Sequence, residues 1–331
     1  MAGTVLQMEP ILEWLLEEEN PSVRYFALQD LLGKLPDDPE VVAARHAIMQ
    51  QGVVPAILAE QNADGSWGDP RRFYTDKYRG SVWQLLVLAE MGADPSDPRV
   101  RNACAFILDA AQDRESGGFS VGHAVKLGGG RHSEVIPCLT GNMVWSLLRL
   151  GFADDDRVTR GIDWICRYQR FDDGDGAPVG WPYDKYEICW GKHTCHMGVV
   201  KALKALSAIA PAKRSETCQK TLHDGTKYLL AHRIYQKSHQ LGVVSKPGWL
   251  HLGFPLMYQT DILEILGILT DLGCRDARMG EALAVVRAKC GADGAWKMEN
   301  SFNGKMRVDV EVNGERSKWL TLKALRVLTA V

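Results

Sequence analysis

The stretch Gln61-Asn62-Ala63-Asp64-Gly65-Ser66-Trp67 decides the fold, because worn copies of it recur along the chain. The second is Gln112 with Gly117-Gly118-Phe119, the third Gln169 with Asp175-Gly176 and Trp181, and the last Cys290 with Asp293-Gly294-Ala295-Trp296. A spacing of roughly fifty to sixty residues marks one supersecondary unit used repeatedly. Each copy stands between the end of one helical pattern and the start of another. The unit is therefore a helix pair with a Gly/Asp turn and an aromatic staple.

Working outward, helical periodicity dominates and strand signals are few. Pro21 opens a helix to Leu32, since proline suits a first turn, and 41–60 reads as a second, longer helix. The pairs that follow are 80–91 with 98–111, 138–150 with 157–169, 193–209 with 216–233 and 258–272 with 279–289, and 317–329 closes the set. One member of each pair, such as Val82-Trp83-Gln84-Leu85-Leu86-Val87-Leu88, is apolar nearly all round and should be buried on every side. Its partner is amphipathic and should face water. This pattern predicts an all-α fold, an α/α toroid of about six helix pairs with apolar inner helices wrapped by amphipathic outer ones. The expected organisation is one domain over residues 1–331, an N-terminal helical segment 1–60 leading into a repeat-bearing barrel 61–331.

The totals fit such a body. Hydrophobic residues make up 46% of the 331 and charged residues 24%, an ordinary globular composition. A net charge of −2 gives no reason to expect nucleic acid, and no run reaches the ~18 apolar residues of a membrane span. Residues 1–20 are acidic and amphipathic, unlike a secretory signal, so the expected location is the cytoplasm. The eight scattered cysteines then read as buried thiols or metal ligands, not as a disulfide framework.

The Gln…Asp-Gly-(Ser/Ala)-Trp turns resemble the repeat shared by squalene and oxidosqualene cyclases and the β subunits of protein prenyltransferases, from about Glu60 to the end. The prenyltransferase branch implies a zinc site made by a cysteine opening one inner helix and a histidine opening the next. Cys138 in Cys138-Leu139-Thr140-Gly141-Asn142 and His193 in Lys192-His193-Thr194-Cys195 match in order and separation. Where the family has an aspartate two residues before the cysteine, this chain has Ile136, and Cys189 or Glu134 would supply the missing ligand. The resemblance thus implies Zn²⁺ held by Cys138, Cys189 and His193, with Cys195 and His196 the substitutes, and it implies isoprenoid substrates. Zinc takes thiolate and imidazole ligands, and a catalytic site keeps one position open.

Two further readings come from the residues. In a toroid the inner helices run parallel, so their N-termini meet at one mouth. Lys77, Tyr78, Arg79, Arg131, His132, Lys192, Tyr258 and Lys318 fall there, a basic and aromatic ring suited to an anionic head group. Trp83, Asn142, Trp145, Tyr258 and Trp319 should line the cavity and hold an apolar body. Asp261, on an otherwise apolar inner helix, is the candidate general acid or base, with Glu134 and His196 completing the candidate catalytic set. The function expected is a zinc-dependent enzyme acting on an apolar isoprenoid or aromatic small molecule with an anionic head. A metal-free cyclase using a buried carboxylic acid and a non-catalytic toroid that binds a ligand or peptide are the alternatives. A lid over 171–186 and a small hairpin at 308–314 would cover the mouth.

Overall fold

The structure is a computed structural model and describes residues 8–331 except 127, 175, 177 and 192. In chain order its helices are α1 (Met8–Leu15), α2 (Pro21–Asp30), α3 (Pro39–Ile48), α4 (Val53–Ala59), α5 (Ser81–Met91), α6 (Pro98–Ala110) and α7 (Pro137–Arg149). They continue with α8 (Asp156–Tyr168), the one-turn α9 (Glu187–Trp190), α10 (His196–Ser207), α11 (Glu216–Ala231), α12 (Ile262–Asp271), α13 (Gly280–Ala288) and α14 (Lys318–Thr329).

Six of these form an inner ring. α5 packs on α7, α7 on α10, α10 on α12, α12 on α14 and α14 on α2. Phe26 of α2 reaches the Gly92 end of α5 and brings the circuit round. The outer helices α4 and α6 lie against α5, α8 against α7, α11 against α10 and α13 against α12. The fold is the expected all-α α/α toroid. Burial follows the apolar pattern: Ser81 through Ala89 are all buried in α5, whereas α8 buries only Val158, Gly161, Trp164 and Ile165.

The repeat turns earn their recurrence by hydrogen bonding. Gln61 Nε2 donates to Gly65 O (3.1 Å) within its turn and to Arg99 O (3.0 Å) on the next outer helix. Gln112 does the same with Gly117 O (2.8 Å) and Arg157 O (2.7 Å). The N–H of the aromatic residue then binds a hydroxyl on the following inner helix: Trp67 to Ser81 Oγ, Phe119 to Thr140 Oγ1, Trp296 to Thr321 Oγ1. Each turn thereby ties three elements. The third copy departs, since Trp181 stacks on His132 and donates to the His132 carbonyl instead, and its Asp175 lies outside the described residues.

A second repeated device caps the outer helices. Asp97, Asp155 and Asp276 each accept the backbone N–H two residues on and pair with the arginine there, Arg99, Arg157 and Arg278. The carboxylate satisfies an orphan donor while the arginine holds it in place.

Two expectations change. The 41–60 helix is two helices, α3 and α4, parted at 49–52, where Gly52 takes φ +81°. That stretch, Pro39–Ala59, is also, among the described residues, the one whose length and mean hydropathy of 1.2 would pass for a membrane span. Residues 308–312 form no strand. The hairpin is β1 (Gln236–Lys237) with β2 (Gln240–Val244), and β3 (Trp296–Lys297) pairs with β4 (Arg316–Ser317).

Candidate functional site

All six inner helices line one cavity of 290 Å³. It lies toward their C-terminal ends, not the N-terminal mouth, and opens past the exposed rim residues Asp30, Arg149, Ala208 and Asp271. Tyr25 and Phe26 of α2, Trp145 of α7 and Trp319 of α14 give it aromatic walls. Trp145 and Trp319 are where the sequence placed them. Trp83, Asn142 and Tyr258 belong to the opposite end, where Asn142 Nδ2 donates to Met257 O (3.1 Å).

The floor is charged. Lys201, only 1% exposed, donates to both carboxylate oxygens of Glu264 at 2.7 Å. Lys204 bridges Glu90 (2.5 Å) and Glu264 (3.2 Å) and sits 3.9 Å above the Trp145 ring. Lys323 reaches Glu90 at 3.4 Å and lies 4.4 Å from the Phe254 ring. Burial pushes the Glu90 carboxyl up, but Lys204 and Lys323 outweigh it and hold the group below its ordinary range. Glu264 is depressed in the same way, by Lys201 and Lys204 against burial. Burial pulls Lys201 below the ordinary lysine range, with Glu264 opposing. The two short contacts to the Glu264 carboxylate favour the charged form of Lys201 against that burial. Neither glutamate is poised to donate a proton.

Both candidate acids at the helix starts have other duties. Asp261 is the N-cap of α12: its oxygens accept from Glu264 N (2.8 Å) and Gly253 N (3.0 Å), and burial pushes its carboxyl up to about 6. It pairs with neither Lys318 nor Arg79. Glu134 forms an ion pair with Arg131. His196 is buried against Trp249, with ring centroids 4.3 Å apart, and its Nε2 has no partner among the described residues; burial, then His232, push it down to about 3, so it is neutral.

The basic ring is dispersed. His132 binds Asp113 at 2.8 Å, Lys318 binds Glu17 at 2.6 Å, and Arg79 is exposed. Lys192 lies outside the described residues. The chain also supplies its own anions to two inner-helix N-termini. Asp261 caps α12, and Glu311 accepts from Lys318 N (2.8 Å) and Trp319 N (3.3 Å) at the start of α14. Those two dipole ends are therefore already occupied by the chain's own carboxylates.

The zinc donors are only partly gathered. Burial raises the Cys138 thiol well above its usual value, and the nearby Cys189 and Cys195 thiols raise it further; Cys189 is pushed up to about 12 by burial and Cys195. His193 falls outside α10, which begins at His196, and its side chain is 70% exposed, 3.9 Å from Asp173. Among the described residues no three His, Cys, Asp or Glu side chains stand where they could hold a metal ion. With His193 turned out beside Asp173, the described residues do not assemble the expected zinc site.

Neither a family model nor a curated protein sequence matches the chain. Similar solved structures include a protein from Actinoplanes, 14% identical with a TM-score of 0.46, covering 99% of this chain and 98% of that one. A family 76 glycoside hydrolase from a bovine Bacteroides thetaiotaomicron strain is 12% identical with a TM-score of 0.46, covering 95% and 68%. The type II terpene cyclase MstE from Scytonema is 14% identical with a TM-score of 0.42, covering 97% and 98%. Likenesses this distant assign neither chemistry nor substrate to the present chain.

What the sequence reading missed are Glu90, Lys201, Lys204, Glu264 and Lys323. Their signal was available: they are charges set among apolar residues on inner helices, glutamates on α5 and α12 and lysines on α10 and α14.

Proposed function

We propose that the protein acts on a small anionic amphiphile, an isoprenoid or aromatic acid, held in the central cavity. The observation that carries this reading is the charge balance of the floor. Lys201, Lys204 and Lys323 face Glu90 and Glu264, one ammonium more than the carboxylates neutralise, and the half-buried Lys323, with a single contact of 3.4 Å to Glu90, is the least neutralised of the three. At the rim, Arg149 and Arg326 stand beside Asp30 and Asp271, and burial raises the Asp271 carboxyl. A half-buried cation in excess of its carboxylate partners favours an anion beside it. Lys323 and Arg149 are the groups placed to meet a carboxylate or phosphate head, and Trp145, Trp319, Phe26 and Tyr25 would take the body.

Because Glu90 and Glu264 stay ionised, activation by protonation from the floor is not the chemistry supported. The ligand would be held by its head and shaped by the walls.

The test compares pairs of ligands with one body and two heads, an acid and the matching alcohol, by calorimetry. The acids should bind and the alcohols should bind at least about tenfold more weakly. Lys323→Met should erase most of that difference while leaving the alcohols unchanged. Equal affinity for both heads would remove the proposal. Recovery of the acid unaltered after long incubation would instead favour a non-catalytic receptor.

A further inference from the structure

The N-terminal end of the ring holds a second feature, independent of the cavity. The ammonium of Lys77 stands before three aromatic faces, 4.7 Å from the Tyr258 centroid, 4.9 Å from Tyr74 and 5.9 Å from Trp83. Among the described residues no carboxylate lies within ion-pair distance of it. The sequence reading put Lys77 in an anion-binding ring. The structure makes it the occupant of a cation site.

The cage is built without help from its occupant. Trp83 is buried in the first turn of α5, and its Nε1 donates to Tyr74 O at 2.9 Å, which fixes two walls against each other. Tyr78 packs edge-on to Trp83 at 5.3 Å, lies against Phe302 at 4.2 Å, and stacks with Tyr258 at 6.3 Å, which backs the third wall. Gln84 Nε2 donates to Tyr78 O at 3.0 Å and holds the loop down on the helix. Lys77 itself is exposed, on a flexible four-carbon stem, free to swing outward. Three preorganised rings attract a cation through their electron-rich faces, and they favour a weakly hydrated alkylated ammonium over a lysine, whose primary ammonium gives up strong hydration.

We propose that Tyr74, Trp83 and Tyr258 form a binding site for a small quaternary ammonium compound, closed in the free protein by Lys77 as an internal stand-in. A ligand enters by displacing that side chain, so Lys77 sets the affinity by competition.

The test follows the indole N–H resonance of Trp83, assigned by its loss in Trp83→Phe, during titration with choline and with its uncharged carbon isostere, neohexyl alcohol. Wild type should show a saturable shift with choline in about the millimolar range, and Lys77→Ala should bind about tenfold more tightly. The alcohol should give no saturable shift in either protein. Spectra that otherwise coincide will show that Lys77→Ala is folded. The proposal is overturned if choline gives wild type no saturable shift, whatever Lys77→Ala does, or if the uncharged isostere binds as well as choline.

Discussion

Glu264→Gln is expected to destabilise the protein by about 3–5 kcal/mol, the usual loss when one partner of a buried ion pair is removed. Glu264 accepts two hydrogen bonds from Lys201 and a third from Lys204, and all three side chains are largely out of water. The amide cannot balance two ammonium groups, so Lys201, with no route to solvent, bears most of the penalty. For a chain of this length the midpoint of thermal unfolding should fall by roughly 6 °C. Adding Lys201→Met removes the stranded charge and should return most of the loss, because apolar replacement of a whole buried pair is often near neutral. If Glu264→Gln alone is neutral, the network is not charged and the cavity argument fails with it.

The same residues set a pH dependence whose sign is fixed. Glu90 and Glu264 have folded values below their ordinary 4.5, so their contribution is complete above that value and is lost as pH falls through the depressed values. Asp261 runs the other way: with a folded value of about 6 against an ordinary 3.8, its ionisation weakens the fold as pH rises through that interval. Denaturant titrations between neutral and strongly acid pH should show a steep acid loss in wild type. A Lys201→Met, Glu264→Leu double variant should lose less.

Gly141→Ala should be nearly as damaging, by about 3 kcal/mol, at the upper end of overpacking. A Cβ built there would lie 2.4 Å from Lys201 C and 2.5 Å from Lys201 O, so the obstacle is the backbone of α10 and not a side chain that can turn away. α7 and α10 are the closest-packed pair of the inner ring, and the shift would also displace Lys201 from Glu264. Gly267→Ala provides the control. Its nearest neighbour to a built Cβ is Val327 at 3.9 Å, and the better helix former should stabilise α12 by about 0.5–1 kcal/mol. Equal effects at the two sites would contradict the packing described.

The ring was legible because its signals are local. A Gln, a Gly/Asp turn and an aromatic residue recur, and apolar helices alternate with amphipathic ones, so the helix pairs could be counted from the residues alone. The site was less legible because it depends on which helix ends converge. Reading parallel inner helices correctly gave a shared N-terminal mouth, but it did not reveal that Asp261 and Glu311 fill two of those ends or that Arg131, His132 and Lys318 already have carboxylate partners. His193 was misplaced by three residues of helix: α10 starts at His196, which leaves the imidazole outside among Asp173 and Gly174. The Glu/Lys floor joins residues from four inner helices, among them Glu90 with Lys204 and Lys323, and such pairings are set by tertiary packing alone.

The most direct test of the cavity reading is a crystal soaked with para-bromobenzoate and measured at the bromine edge. The bromine should appear between Trp145 and Trp319, with the carboxylate within hydrogen-bond reach of Lys323 or Arg149, at the C-terminal end of the inner ring. Bromine bound only at the N-terminal mouth, or a cavity without it at saturating ligand, would contradict the reading.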